Sequence, residues 1–304
     1  MSPEEASRPI LPAVANPLAE PLIESAPFAL EISHLACRGG PGESSCAPYH
    51  GFWQYLRLLG LGKTMSGFSA EFATAIRDAA RAHAGASFRV LISGCADYSA
   101  YAHVLAGCAG LSVRLRVTAV DLCPTPLILS RWYARRHGGD LSVVRSDILD
   151  HRHPGGYDLI LTSSFLGYFP PALRSVLFAR YAELLAPGGR LIFTTRLRPG
   201  REDQPVPFGP EQKEALVRTV VDALPELPGG GLERNEAVRL AVGYADLCAS
   251  HPVNGEESLR RLADGAGLRW LDCDRRRSGA ARPGVSGPTV GAAEYLFVTL
   301  GRPA

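Results

Sequence analysis

Two short stretches carry the chemistry of this chain. Phe88–Asp97, FRVLISGCAD, is an apolar run that breaks at Ser93-Gly94, and Leu115–Asp121, LRVTAVD, is a second apolar run that ends in an acid. Runs of this kind read as buried strands of a parallel sheet. In an open parallel sheet, ligands bind beyond the carboxyl ends of the strands, where neighbouring connections part. A glycine at one strand end lets backbone come close to a ligand. An acid at the next can accept bonds from both hydroxyls of a ribose. Gly94 and Asp121 together therefore point to a nucleoside-containing ligand.

A sheet has to bring those two ends together, and the pattern from Phe88 onward supplies one. Strands are expected near Phe88–Ser93, Arg114–Val120, Leu141–Arg145, Tyr157–Thr162 and Arg190–Thr195. Helices are expected over Ser69–Ala84, Tyr98–Ala109, Thr125–His137 and Pro171–Leu185, with Ser69 as the cap of the first. This alternation argues an α/β fold with a parallel sheet and helices on both faces. Pro187-Gly188-Gly189 reads as the turn into the fifth strand. After Arg198-Pro199-Gly200 the alternation breaks, and Glu211–Leu224 and Glu233–Ser250 read as two inserted helices. Glu257–Ala266 resumes the pattern, and Leu268–Cys273 with Ala293–Leu300 reads as an antiparallel pair.

The ordered set VLISGCAD (90–97), VTAVD (117–121), RSDILD (145–150), YDLILTSSFLGYF (157–169) and LLAPGGRLIF (184–193) resembles the class I S-adenosylmethionine-dependent methyltransferases of small molecules. The resemblance runs from about Ser69 to the C-terminus. It implies a Rossmann-like, mostly parallel seven-stranded sheet with the last strand antiparallel, plus a helical lid insertion at 201–256 within a domain of 69–304. It also implies S-adenosylmethionine (SAM) as cofactor. Residues Ser93, Gly94, Cys95, Asp97 and Tyr98 would surround its methionine half. Asp121 would hold the ribose, Leu122 would lie on the adenine, and Asp147 and Ile148 would flank that base. Thr162, Ser163 and Phe165 would approach the sulfonium. Ile92 stands where the family's first motif has an acid, and Ala96 and Tyr98 stand where it has glycines. Asp97 is the available substitute acid; its other reading is a helix cap.

His50, Tyr168 and Arg196 are the candidate catalytic or substrate-binding groups. Arg196, just past the fifth strand, suits a substrate carboxylate. The motifs of nucleic-acid methylases and the acid cluster of metal-dependent catechol enzymes are absent, so the expectation is a small-molecule acceptor, no nucleic acid and no metal. Transfer of the aminocarboxypropyl group of SAM, or its cyclisation with release of methylthioadenosine, is the alternative. A nicotinamide reductase is disfavoured because no GxGxxG follows the first strand.

Met1–Pro27 carries six prolines, which favour extended backbone over helix. Residues 1–68 thus read as an N-terminal arm and helical lid segment, the arm over Met1–Pro27 being a loose tail or a segment that packs on the body or on a neighbouring subunit of a homodimer. Aromatic residues from Tyr49 to Tyr55 lead into a short helix that stops near Gly60 and serves as core or as lid. The chain's 304 residues, 46% hydrophobic and with a formal charge of +2, fit a globular protein without general affinity for nucleic acid. Seven cysteines with no CxxC pair fit reduced thiols in the cytoplasm and no structural zinc. No membrane span is expected.

Overall fold

The computed structural model describes residues 20–37, 45–62, 65–198, 200–227, 231–277 and 294–304. Among them lie strands β1 (Ser87–Ser93), β2 (Arg114–Asp121), β3 (Leu141–Arg145), β4 (Tyr157–Ser163), β5 (Leu185–Leu197), β6 (Arg269–Arg277) and β7 (Glu294–Gly301). They form one sheet in the order β3-β2-β1-β4-β5-β7-β6. The first five run parallel to one another, whereas β7 runs antiparallel to both β5 and β6. The seven-stranded, mostly parallel α/β fold expected from the sequence is the one observed.

Alternation along β1 explains how the sheet is covered on both faces. Phe88, Val90 and Ile92 enter one apolar cluster and Leu91 enters the other, all at most 1% exposed. Full burial of each such side chain contributes roughly 1.5–3 kcal/mol. The first cluster packs under α3 (Ser69–Arg81), α4 (Ser99–Cys108) and α5 (Pro124–His137), the second under α6 (Pro171–Leu184) and α9 (Glu256–Gly265). A third cluster stands apart from the sheet. It joins α2 (Ala47–Leu58) to α7 (Pro210–Ala223) and α8 (Arg234–Leu247) through Phe52, Tyr55, Leu56, Leu216, Val220 and Leu240. The inserted helices and the segment before the sheet thus share one small core.

Three local expectations are corrected. Leu22–Ala36 is a helix, α1, with Pro21 at its N-cap and Pro27 inside it. Packing of Ala26, Ala29 and Ile32 against α2 and α5 overrides the proline signal. Residues 1–19 of the expected Met1–Pro27 arm lie outside the described residues, and the rest of it packs on the body as the start of α1. Pro187–Gly189 is not a turn before β5 but an irregularity within it: Leu185 already pairs with Tyr157, and the register then shifts before Leu159 meets Arg190. Ser69 does not cap α3, because a short 3-10 turn precedes it and its hydroxyl lies 3.1 Å from His103 Nε2. No helix among the described residues is long and apolar enough to cross a membrane.

Candidate functional site

The carboxyl ends of β1, β2, β4 and β5 open into a single cavity of about 550 Å³, within the usual range of roughly 300–1,000 Å³ for small-molecule sites. At the end of β1, Gly94 has φ +66°, which side chains other than glycine rarely adopt. A Cβ there would sit 2.5 Å from the Phe165 ring, so the backbone lies bare against the cavity and that ring. Parallel pairing sets Ser93 beside Val120, which brings Asp121 level with Gly94. Asp121 Oδ2 accepts the Cys95 N–H at 2.9 Å and Oδ1 accepts the Cys123 N–H at 2.7 Å. Burial raises its carboxyl above the ordinary range, against these two bonds, which lower it. Two acceptor positions remain for a ligand. The two neighbouring ends on which the sequence reading turns do meet at one cavity.

Asp97 lies deeper. Its Oδ1 accepts the Ser99 N–H at 2.7 Å, so it does tie the entry to α4. Its Oδ2 accepts Gln54 Nε2 and Arg57 Nη1, both at 2.7 Å. Arg57 also pairs with Glu20. Burial alone would lower the Arg57 guanidinium, but Asp97 and Glu20 outweigh it and hold the group charged. Arg57 lines the cavity and is not among the residues expected at the site. The signal was available, since Tyr49, Trp53 and Arg57 follow one another at i, i+4 on α2. That stripe faces the cavity, while Phe52, Tyr55 and Leu56 face the third cluster, the core of a cap made by α2, α7 and α8. The aromatic segment is therefore lid on one side and core on the other.

Tyr49 stacks on Tyr244 of α8 (centroids 5.5 Å apart, 8° between planes) and on Trp53 (6.3 Å, 8°), giving the cavity an aromatic wall. Burial holds the phenols of Tyr49 and Tyr244 well above the ordinary range. His50 is 7% exposed, lines the cavity and has no hydrogen-bond partner for Nδ1. Arg196 and Arg198, at the end of β5, also line it. Burial first, and then the neighbouring Arg196 charge, push the Arg198 guanidinium down to about 10. Its Nε is buried without a partner. Ser164, directly after β4, has φ +52° and a buried, unpartnered hydroxyl in the same cavity. No residue-type pattern announces that strain.

Of the residues expected at the site, Gly94, Cys95, Asp97, Asp121, Leu122, Ser163, Phe165, His50, Tyr168 and Arg196 line the cavity. Ser93, Tyr98, Asp147, Ile148 and Thr162 do not. The Ser93 hydroxyl bonds Tyr181 on α6. Tyr98 is buried on Tyr133 (4.5 Å, 8°) with its hydroxyl 2.9 Å from Ser25 Oγ. Asp147 turns back to accept the Leu149 N–H at 2.9 Å, Ile148 is in the apolar core and Thr162 is buried.

No protein-family model matches the chain. It is 35% identical over 81 residues to the ubiquinone biosynthesis O-methyltransferase of Cronobacter sakazakii, a stretch covering 26% of this chain and 32% of that one. The chain thus spans about a third of the length of this curated relative. A candidate sarcosine dimethylglycine methyltransferase from Galdieria sulphuraria superposes with a TM-score of 0.50 at 13% identity, over 78% of this chain and 86% of the other. The 1,6-didemethyltoxoflavin-N1-methyltransferase of Burkholderia thailandensis, with bound 1,6-didemethyltoxoflavin and S-adenosylhomocysteine, superposes with a TM-score of 0.48 at 18% identity, over 88% and 94%. By strand order, by its antiparallel β7 and by the likeness to the Galdieria structure, the chain has the class I S-adenosylmethionine-dependent methyltransferase fold.

Proposed function

We propose that the chain is an enzyme that transfers a methyl group from SAM to a small acceptor carrying a flat ring and an anionic group. One observation carries the cofactor half of this reading: Gly94 and Asp121, on adjacent strands, open onto the same cavity with bare backbone at one and free carboxylate lone pairs at the other. The residues present fit the cofactor. Asp121 would hold the ribose diol, with Leu122 against the adenine. The backbone of Gly94–Asp97 would run along the methionine half. Arg57 would face its carboxylate, and the remaining Asp97 lone pair its ammonium. When bound, SAM supplies an electrophilic methyl group on a sulfonium.

The chain's own work is alignment, exclusion of water and management of charge. Orientation of two reactants accounts for up to roughly 7–11 kcal/mol of a barrier. The wall of Trp53, Tyr49 and Tyr244 offers flat faces both to a ring and to a cation, the latter worth about 0.5–2 kcal/mol per face. Arg196 and Arg198 bring two positive charges to one buried corner, where an anionic acceptor would offset their mutual repulsion. Among the cavity's titratable groups, the phenols of Tyr49 and Tyr244 are held too high to accept a proton near neutral pH, whereas His50 Nδ1 has a free lone pair or proton position. His50 is therefore the proposed proton acceptor. The curated relative is named an O-methyltransferase, which agrees with an acceptor that sheds a proton.

The test is product analysis. Purified protein is incubated with methyl-labelled SAM and a panel of aromatic carboxylic acids and phenols, alongside uncharged analogues. S-adenosylhomocysteine plus a methylated anionic acceptor supports the proposal. Formation of methylthioadenosine, or no calorimetric affinity for either SAM or S-adenosylhomocysteine, overturns it.

A further inference from the structure

Three of the seven cysteines, scattered over 87 positions of the sequence from Cys37 to Cys123, meet at one rim of the cavity. Cys37 follows the end of α1, Cys46 precedes α2, and Cys123 lies between β2 and α5. Their sulfur atoms all fall within 4.8 Å of one another. Cys123 Sγ is the shared neighbour, 3.3 Å from Cys37 Sγ and 3.5 Å from Cys46 Sγ. No disulfide joins them. Cys46 and Cys123 line the cavity, while Cys37 is 4% exposed with its sulfur 2.9 Å from Thr125 Oγ1.

The geometry points to a binding site for a thiophilic divalent cation of the zinc type, held by the thiolates of Cys37, Cys46 and Cys123. Thiolates around tetrahedral zinc at about 2.3 Å lie about 3.8 Å from one another, close to the spacings observed. A disulfide would use two of the sulfurs and strand the third. Metal binding would instead use all three, each thiol releasing its proton to solvent. Three protein ligands leave one position of the tetrahedron for water or for a ligand atom from the cavity. The Thr125 hydroxyl is placed to bond a ligating sulfur, as groups around a metal commonly do. The absence of CxxC hid the site, because the ligands come from three separate segments.

The site would join the segment around α1 and α2 to the sheet beside Asp121, the side chain proposed to hold the cofactor's ribose. Cys123 N–H is one of the two donors on Asp121, so fixing Cys123 also fixes that side chain. The cation site itself does not depend on the methyltransferase reading; only its effect on SAM affinity does. The whole chain is purified with reductant, its metal content measured, and the zinc exchanged for cobalt. About one ion per chain is expected, with tetrahedral cobalt–thiolate absorption that disappears in Cys46→Ser and Cys123→Ser and persists in Cys273→Ser, a cysteine of β6. Chelation of wild-type protein should lower its melting temperature and zinc should restore it, a readout that holds even if the serine variants fold poorly. Absence of stoichiometric metal and cobalt absorption in the reduced wild type overturns the proposal. So does cobalt absorption that survives in both serine variants, or a Cys37–Cys123 disulfide in a metal-free, fully active protein. Loss of metal without loss of SAM affinity would remove only the link to Asp121.

Discussion

Replacing Asp121 with asparagine tests the cofactor assignment most directly, because it keeps the side chain's size while removing its charge and one of its two acceptor oxygens. Both carboxylate oxygens accept backbone N–H groups, from Cys95 at 2.9 Å and Cys123 at 2.7 Å. An amide keeps one acceptor and sets an NH2 group against the other N–H. One charge-assisted bond is lost and a backbone donor is left without a partner, a cost of about 1–3 kcal/mol. At about 2–4 °C per kcal/mol for chains somewhat shorter than this one, the melting temperature should fall by several degrees, short of unfolding the protein. The effect on binding is separate. A ribose diol would lose one of two bonds to a charged acceptor, roughly 1.5–3 kcal/mol, or about a 10- to 150-fold weaker Kd for S-adenosylhomocysteine. Burial raises the Asp121 carboxyl. Binding that requires the carboxylate should therefore weaken as pH falls through that raised pKa, beginning above the ordinary carboxylate range. The asparagine variant should lack that limb. Calorimetry from mildly acidic to neutral pH reads both effects. Wild-type affinity in Asp121→Asn at neutral pH refutes the assignment.

Gly94→Ala should cost about 1–2 kcal/mol from its left-handed φ alone and should also weaken SAM binding, because its Cβ meets the Phe165 ring at 2.5 Å; adding Phe165→Ala should relieve the collision but not the backbone strain, as paired thermal melts would show. Arg196→Ala should raise the acceptor KM far more than the Kd for SAM, and equal losses for both would remove its assignment to the acceptor. His50→Gln should lower kcat by roughly 100-fold or more while leaving S-adenosylhomocysteine affinity unchanged, measured by steady-state kinetics and calorimetry. Burial alone would raise the Asp158 carboxyl of β4, but side-chain and backbone bonds from Arg89 of β1 outweigh it and hold it below the usual range. A depressed carboxyl contributes stability above its unfolded pKa and loses it as pH falls through the folded one. Acid melts of wild type should show that loss, and Asp158→Asn should remove it along with about 1–3 kcal/mol at neutral pH.

What the sequence disclosed and what it concealed divide along the range of the interactions involved. Phe88, Val90, Leu91 and Ile92 are apolar because the strand they form is covered on both faces, so their burial is written into four adjacent letters. Gly94 and Asp121 are legible for a similar reason: each ends its own strand, and parallel pairing alone sets them side by side. Asp147 has the right type and spacing, yet it does not line the cavity, and one of its oxygens accepts the Leu149 N–H two residues on. Composition cannot tell such a turn from a ligand contact. The proline rule failed over Pro21–Pro27 because the packing of α1 on α2 is a long-range gain that local propensity does not contain. The cap shows the same limit more sharply. Read alone, Tyr49–Arg57 is an aromatic helix whose two faces have no assigned destinations. Only when α7 and α8 cover Phe52 and Leu56 does the opposite stripe of Tyr49, Trp53 and Arg57 become a cavity wall. Any relative that keeps the sheet but changes those two helices should therefore keep the Gly94–Asp121 corner and lose the aromatic wall. The Gly94–Asp121 corner belongs to the sheet, whereas the aromatic wall exists only because α2 and α8 meet across the cavity.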